Sequence, residues 1–264
     1  MSDESAAPAP TLYHVPRTIS SPIYQALLEL DLVNNPIRVE TLSFPDLKTP
    51  EHLARNPMGT SPTFVDAKEG IDIWESGAVM MYLLEAYDTK CVLHPDTKIA
   101  PKRDHANYCH LCQYVTATVY PFLSSLFLHT LEPADQQDPV YLQTGRDTFK
   151  TKLGPTLAKF LGDKPFFMGD KLSAVDLLVA KPLNNAHSLN LLKDDFPTLQ
   201  HLFCKIKSRP SFAIAYNLPL PPADDDATTH DEECCRRSMV LLPSEFYDGI
   251  ITTRASLLSL PPAE

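Results

Sequence analysis

The sequence predicts a small α/β sandwich followed by an all-helical domain. Three observations carry that prediction. Between residues 11 and 88, short β-prone runs alternate with amphipathic helical runs. Beyond residue 102 the apolar residues recur at helical spacing throughout. The 25 prolines, set against only 8 glycines, fall at segment starts and at both chain ends, where they punctuate the elements.

Residues 11–15 read as a first strand, ended by Pro16. In Thr18-Ile19-Ser20-Ser21-Pro22, Ser21 fits a helix N-cap and Pro22 the first helical position, so a helix is expected over 23–30. Residues 37–42 alternate as a strand. A short helix opens at Thr49-Pro50 and is closed by Asn56-Pro57. Residues 62–66 and 71–74 form a hairpin around Lys68-Glu69-Gly70, and Glu75-Ser76 starts the next helix. Residues 89–102 are a polar, proline-containing linker. A long helix follows over 103–131 with Pro121 as a kink, and another over 143–161, broken near Gly154-Pro155. Ser173-Ala174-Val175-Asp176 precedes the apolar run Leu177-Leu178-Val179-Ala180 as a capping box, which assigns Asp176 a structural role. A last helix runs from Phe196-Pro197 to the neighbourhood of Arg209-Pro210-Ser211-Phe212. The expected organisation is a disordered leader (1–10), an α/β domain (11–88), a linker (89–102), a helical domain (103–217) and an acidic, proline-rich extension (218–264).

A hydrophobic share of 44% excludes wholesale disorder. The net charge of −10 argues against a nucleic-acid partner, which needs a basic surface to release counterions. Much of that charge sits in residues 221–264, with nine acids against three bases. No apolar run approaches the ~20 residues of a membrane-spanning helix, and the leader resembles neither a signal nor a transit peptide. Six cysteines in 264 residues are not a disulfide scaffold, so the expected location is the cytoplasm. Cys109-His110-Leu111-Cys112 has the spacing of half a metal site, but no second pair follows it, and no metal is expected. Cys234-Cys235 reads as a pair of exposed thiols.

Four segments, in order over residues 11–216, carry a family resemblance. Asn56-Pro57-Met58-Gly59-Thr60-Ser61-Pro62-Thr63-Phe64-Val65-Asp66 resembles N-P-x-G-x-V-P-x-L-x-D, and Trp74-Glu75-Ser76-Gly77-Ala78-Val79 with Tyr82-Leu83 resembles E-S-x-A-I-x-x-Y-L. The run from Phe166 to Asp176 resembles P-F-x-x-G-D-x-x-S-x-A-D. Phe196-Pro197 through Arg209-Pro210-Ser211-Phe212 resembles Y-P…R-P-x-F. These are motifs of the cytosolic glutathione S-transferases. The resemblance implies a thioredoxin-like N-terminal domain, an all-α C-terminal domain, glutathione as co-substrate and a homodimer.

It also implies residue roles. A cis bond before Pro62 would aim the amide and carbonyl of Ser61 outward, to pair with the cysteinyl backbone of glutathione like an added strand. Ser61 stands where the family usually has valine, a change that a backbone contact survives. Ser76 and Glu75, at a helix N-terminus, would hold the γ-glutamyl carboxylate and ammonium, and Lys48 is placed to reach a glutathione carboxylate. A free thiol has a pKa of about 8.5, so the chemistry needs a group that favours thiolate. A hydroxyl donor in the first strand-to-helix turn lowers that pKa by ~1–2 units, worth about 1.4–2.7 kcal/mol. That turn offers Thr18 and Ser20. The T-x-S-S-P pattern favours Ser20, while Ser21 is spent as a cap. No cysteine lies there, which disfavours thiol–disulfide exchange. Tyr108, Tyr114, Tyr120, Phe122 and Arg146 lie on helices that line the second-substrate pocket in this family.

The implied function is a glutathione transferase of detoxification type, which conjugates a hydrophobic electrophile or reduces hydroperoxides. The alternative is a non-catalytic interaction module of the same fold, an adaptor or translation-factor-like subunit. The acidic extension lends weight to the adaptor; the intact Ser61-Pro62 and Glu75-Ser76 segments favour the enzyme.

Overall fold

A computed structural model describes residues 8–220. Residues 1–7 of the expected leader and 221–264 of the expected extension, Cys234-Cys235 among them, lie outside the described residues. The N-terminal part runs β1 (Thr11–His14), α1 (Ser21–Glu29), β2 (Arg38–Thr41), a 3-10 turn (Pro45–Lys48), α2 (Pro50–Arg55), β3 (Thr63–Asp66), β4 (Ile71–Trp74) and α3 (Ser76–Tyr87). The four strands form one mixed sheet of order β2-β1-β3-β4. β1 pairs parallel with β2 and antiparallel with β3, and β3 pairs antiparallel with β4. Leu12 and Phe64, partners across β1 and β3, are fully buried against Ile23 and Leu27 of α1 and Val79 and Met80 of α3. This is the thioredoxin-like arrangement.

The helical part runs α4 (Lys102–Tyr114), α5 (Tyr120–His129), α6 (Pro139–Thr148), α7 (Gly154–Leu161), α8 (Ala174–Ser188), α9 (Pro197–Lys207) and α10 (Pro210–Ala215). One turn of π-helix (Val115–Val119) joins α4 to α5, and a second (Phe149–Leu153) joins α6 to α7. α8 is the central helix, with buried residues all along it from Ala174 to Ala186. Its start is the expected capping box: Asp176 Oδ2 accepts from Ser173 N–H (2.8 Å) and Oγ (2.6 Å), and Oδ1 accepts from Phe167 N–H (2.8 Å).

Three expectations shift. The first helix starts one residue early, at Ser21, because its hydroxyl accepts from Arg17 N–H (2.8 Å) instead of capping the helix. The last helix divides in two, because Pro210 occupies a first helical position after an extended Arg209. The continuous helix Lys102–His129 has an 18-residue window of mean hydropathy 1.3, a length and composition that a spanning helix also has. Its residues Leu111, Val115, Val119, Leu123 and Leu126 are buried in the common core with α8, as in a core helix.

The two parts meet along α1. Glu29 at its end accepts both arms of the Arg209 guanidinium and the Ser211 hydroxyl, and Gln25 Nε2 donates to Ser211 Oγ (3.2 Å).

Candidate functional site

The register of the sheet assembles the site. Tyr13 pairs with Thr63, and Thr63 with Trp74. The chain after β1, the chain before β3 and the chain after β4 therefore leave the sheet at one end. Thr18, Ser61 and Ser76 lie on these three segments.

The segment before β3 is held from behind. Asn56 Nδ2 donates to Thr60 O (3.0 Å) and Thr63 Oγ1 (3.0 Å), and Met58 N–H donates to Asn56 Oδ1 (3.1 Å). Gly59 turns at φ +58°, where a Cβ would lie 2.8 Å from Leu47 O. The Ser61–Pro62 bond is cis. Neither the N–H nor the C=O of the half-buried Ser61 has a hydrogen-bond partner among the described residues. Backbone groups this close to a packed sheet are normally paired, so Ser61 offers a ready donor–acceptor edge to an extended ligand.

After β4 the chain passes through Glu75 at φ +78°, ψ 117°, a conformation L residues rarely adopt. No side chain caps α3, and Ser76 stands at its first position. The N–H groups of Ser76, Gly77 and Ala78 are thus free of intrahelical partners at the positive end of a 12-residue helix, a ready site for a carboxylate. Glu75 itself is exposed. Gly77 packs closely on the helical domain: a Cβ there would lie 3.0 Å from Thr116 Oγ1, in the π-turn after α4.

The first turn separates the two hydroxyls that the sequence offered. Ser20 is fully buried. Its Oγ accepts from Val15 N–H (3.1 Å) and lies 3.0 Å from Val15 O, 2.8 Å from His14 Nδ1 and 2.8 Å from Thr18 Oγ1. The Ser20 hydroxyl, which the T-x-S-S-P pattern favours, is thus enclosed by its own turn, and Thr18 Oγ1 donates to the same Val15 O (2.8 Å). Thr18 is half-buried, and its Oγ1 lies 3.3 Å from Ser61 Oγ. Thr18 and Ser61 meet; Ser20 stands behind them.

Lys48 donates to Gly59 O (3.0 Å), which ties it to the loop that carries Ser61 and leaves two further N–H groups on its ammonium. Arg146 donates to Leu189 O (2.6 Å) at the end of α8, a structural task. Tyr120 reaches the first turn, where its hydroxyl accepts from Ile19 N–H. Tyr108 is buried beside Cys112, whose thiol burial pushes up to about 12.

Sequence reasoning missed His14 and Arg17. His14 is 1% exposed at the end of β1, meets Tyr24 edge-on at 5.1 Å, and lies against the Ala215 carbonyl; burial pushes its imidazole down to about 4. Arg17, at φ +66°, donates from Nε to Tyr216 O (3.2 Å) and from Nη2 to Asn217 O (3.2 Å). Their partners lie some 200 residues away, and no local pattern signals such a pairing.

Comparison with known proteins agrees with this fold. Residues 9–85 match the family model for the glutathione S-transferase N-terminal domain, and residues 126–215 match that for its C-terminal domain. The chain is similar to glutathione S-transferase 1 of Schizosaccharomyces pombe, with 42% identity over 94 residues. That match covers 35% of this chain and spans only 38% of the relative's length. Similarity to glutathione S-transferase D7 of Drosophila melanogaster is longer, at 27% identity over 192 residues, 72% of this chain and 80% of the relative. Among solved structures, the transferase URE2P6 of Phanerochaete chrysosporium, crystallised with oxidized glutathione, superposes with a TM-score of 0.67 at 21% identity, covering 81% of this chain and 97% of that one. At that identity the likeness establishes the fold.

Proposed function

From the premise that this chain belongs to the glutathione S-transferase family, we propose that it binds glutathione at the end of the sheet, stabilises its thiolate and delivers the sulfur to a hydrophobic electrophile. The observation that carries this reading is the unpaired backbone edge of Ser61, half-buried on the segment that also meets Thr18. Ser61 pairs with the cysteinyl backbone. The uncapped start of α3, with Ser76, receives the γ-glutamyl carboxylate; Glu75 faces its ammonium, and Lys48 reaches the other carboxylate. Pro62 fixes the turn that presents Ser61.

This placement puts the sulfur next to Thr18, which acts as the thiolate donor, with Ser20 as the group that holds it from behind. The electrophile lies on the helical side, where Gly77 packs on Thr116 and Ile19 on Tyr120. Conjugation forms a carbon–sulfur bond and expels the leaving group. In hydroperoxide reduction the same thiolate attacks one peroxide oxygen, the O–O bond breaks and the alcohol leaves, and a second glutathione thiol displaces water from the resulting sulfenic acid to give the disulfide. Exposed Leu53 and Met58, on and just after α2, supply apolar surface for a second copy in a cytoplasmic homodimer.

The test is calorimetric titration of glutathione, with assays on an aryl halide and on cumene hydroperoxide. Thr18→Val is expected to bind glutathione as the unaltered protein does and to lose about 10- to 100-fold in kcat, the equivalent of the ~1–2 pKa units that a hydroxyl donor supplies. Ser20→Ala is expected to lose stability first. Absence of glutathione binding would leave the adaptor reading standing in place of the enzyme.

A further inference from the structure

Helix α10 closes on its own backbone through Asn217, which takes a left-handed φ of +50°. Leu218 N–H takes up Ala213 O, Asn217 N–H takes up Ile214 O, and Tyr216 N–H takes up Phe212 O. The next three carbonyls, of Ala215, Tyr216 and Asn217, are met by side chains of the first turn. His14 faces Ala215 O, while Arg17 reaches Tyr216 O and Asn217 O, each at 3.2 Å. Such carbonyls form the negative end of a helix, and a guanidinium fork suits two of them at once.

The same two residues bracket the turn that holds Thr18. Arg17 is its direct neighbour, and Arg17 N–H is bound by Ser21 Oγ (2.8 Å). One nitrogen of His14 is committed to Ser20 Oγ at 2.8 Å, and Ser20 Oγ touches Thr18 Oγ1 at 2.8 Å. His14 also lies against the Ala215 carbonyl, so one ring links the end of α10 to the Ser20 hydroxyl. Arg17 also keeps a left-handed backbone that glycine would adopt at no steric cost, and the side chain it retains there is the one that reaches α10.

We propose that His14 and Arg17 are positioning residues that clamp the Thr18 turn onto the carbonyl end of α10, and that this clamp fixes the Thr18 hydroxyl against the glutathione sulfur. The inference rests on the function proposed above and adds the helical domain as a part of thiolate formation. Neither residue touches the ligand. They act on where Thr18 stands, and a small misplacement of a donor is enough to lose its effect.

The experiment is a pH titration of the ultraviolet absorbance of enzyme-bound glutathione thiolate, with affinity measured alongside by calorimetry. Arg17→Gly removes the fork while relaxing the backbone. It is expected to raise the bound thiol's pKa by about one unit, which is about tenfold less thiolate below that pKa, at unchanged glutathione affinity. Arg17→Lys keeps the charge but not the two-carbonyl span, and is expected to recover part of the shift at most. A wild-type thiol titration in Arg17→Gly, or full recovery in Arg17→Lys, overturns the clamp while leaving the transferase reading intact. Failure of the unaltered protein to bind glutathione overturns both.

Discussion

His14 is a group whose neutral form the fold requires, and its ring carries a pH dependence with a definite sign. Its ordinary value is 6.5, and burial lowers it to about 4. Between those values the unfolded chain binds the proton more readily. The ring's contribution is therefore complete above about 6.5 and is lost as pH falls toward 4, on the order of 3 kcal/mol in all. Asp176 works in the opposite direction, since burial pushes its carboxyl up to about 6. Comparison with His14→Gln isolates the ring: the stability gap between the two proteins, from urea unfolding, is expected to shrink as pH drops from 7 to 4. A gap that stays constant would mean that the ring is not held neutral. At this scale the cis Ser61–Pro62 bond and the helix start at Ser76 were legible, because each belongs to a segment whose residues lie next to one another in the chain. The different burial of Thr18 and Ser20 was not, because only Ser20 also meets His14, and that is a matter of tertiary packing.

Helix starts and stops were the most legible elements, since their chemistry is local. Ser173 and Asp176 close on each other across three residues, and Asp176 also takes up Phe167 N–H from the preceding loop. Asp176→Ala leaves two buried backbone N–H groups and a hydroxyl without their acceptor, at the start of the most buried helix. The expected cost is about 2–4 kcal/mol in urea unfolding, and a loss below about 1 kcal/mol would show that the loop finds other acceptors. The two π-turns were invisible in advance. A residue inserted into a helix keeps the composition of a helix, and only the packing of Val115 and Val119, or of Phe149 and Leu153, reveals it. The division between α9 and α10 was marked by Pro210, whose role as a start, not a stop, becomes plain once Arg209 is seen to be extended toward Glu29.

Over the whole molecule, two layers that the sequence pattern separates cleanly are joined by contacts it does not show. The Glu29–Arg209 pair spans 180 residues, with Glu29 largely buried and Arg209 37% exposed. Burial alone would raise the Glu29 carboxyl, but hydrogen bonds from Arg209 and Ser211 outweigh it and hold the group below its usual range. Glu29→Gln is expected to cost about 1–3 kcal/mol, less than a fully buried pair because Arg209 is partly hydrated. The signature would be a thermal transition that broadens as the two layers begin to melt apart; a single sharp transition at the original Tm would show that apolar packing alone couples them. The Arg17 contacts, which bridge 199 and 200 positions, have a consequence in time. At about 5–20 residues per second a ribosome delivers the end of α10 some 10–40 s after the turn that needs it. Ser61 and Ser76 emerge early in that interval. A nascent chain thus carries Ser61 and Ser76 well before it acquires the contacts that tie the Arg17 turn to α10, and the synthesis of α10 becomes the step that completes that turn.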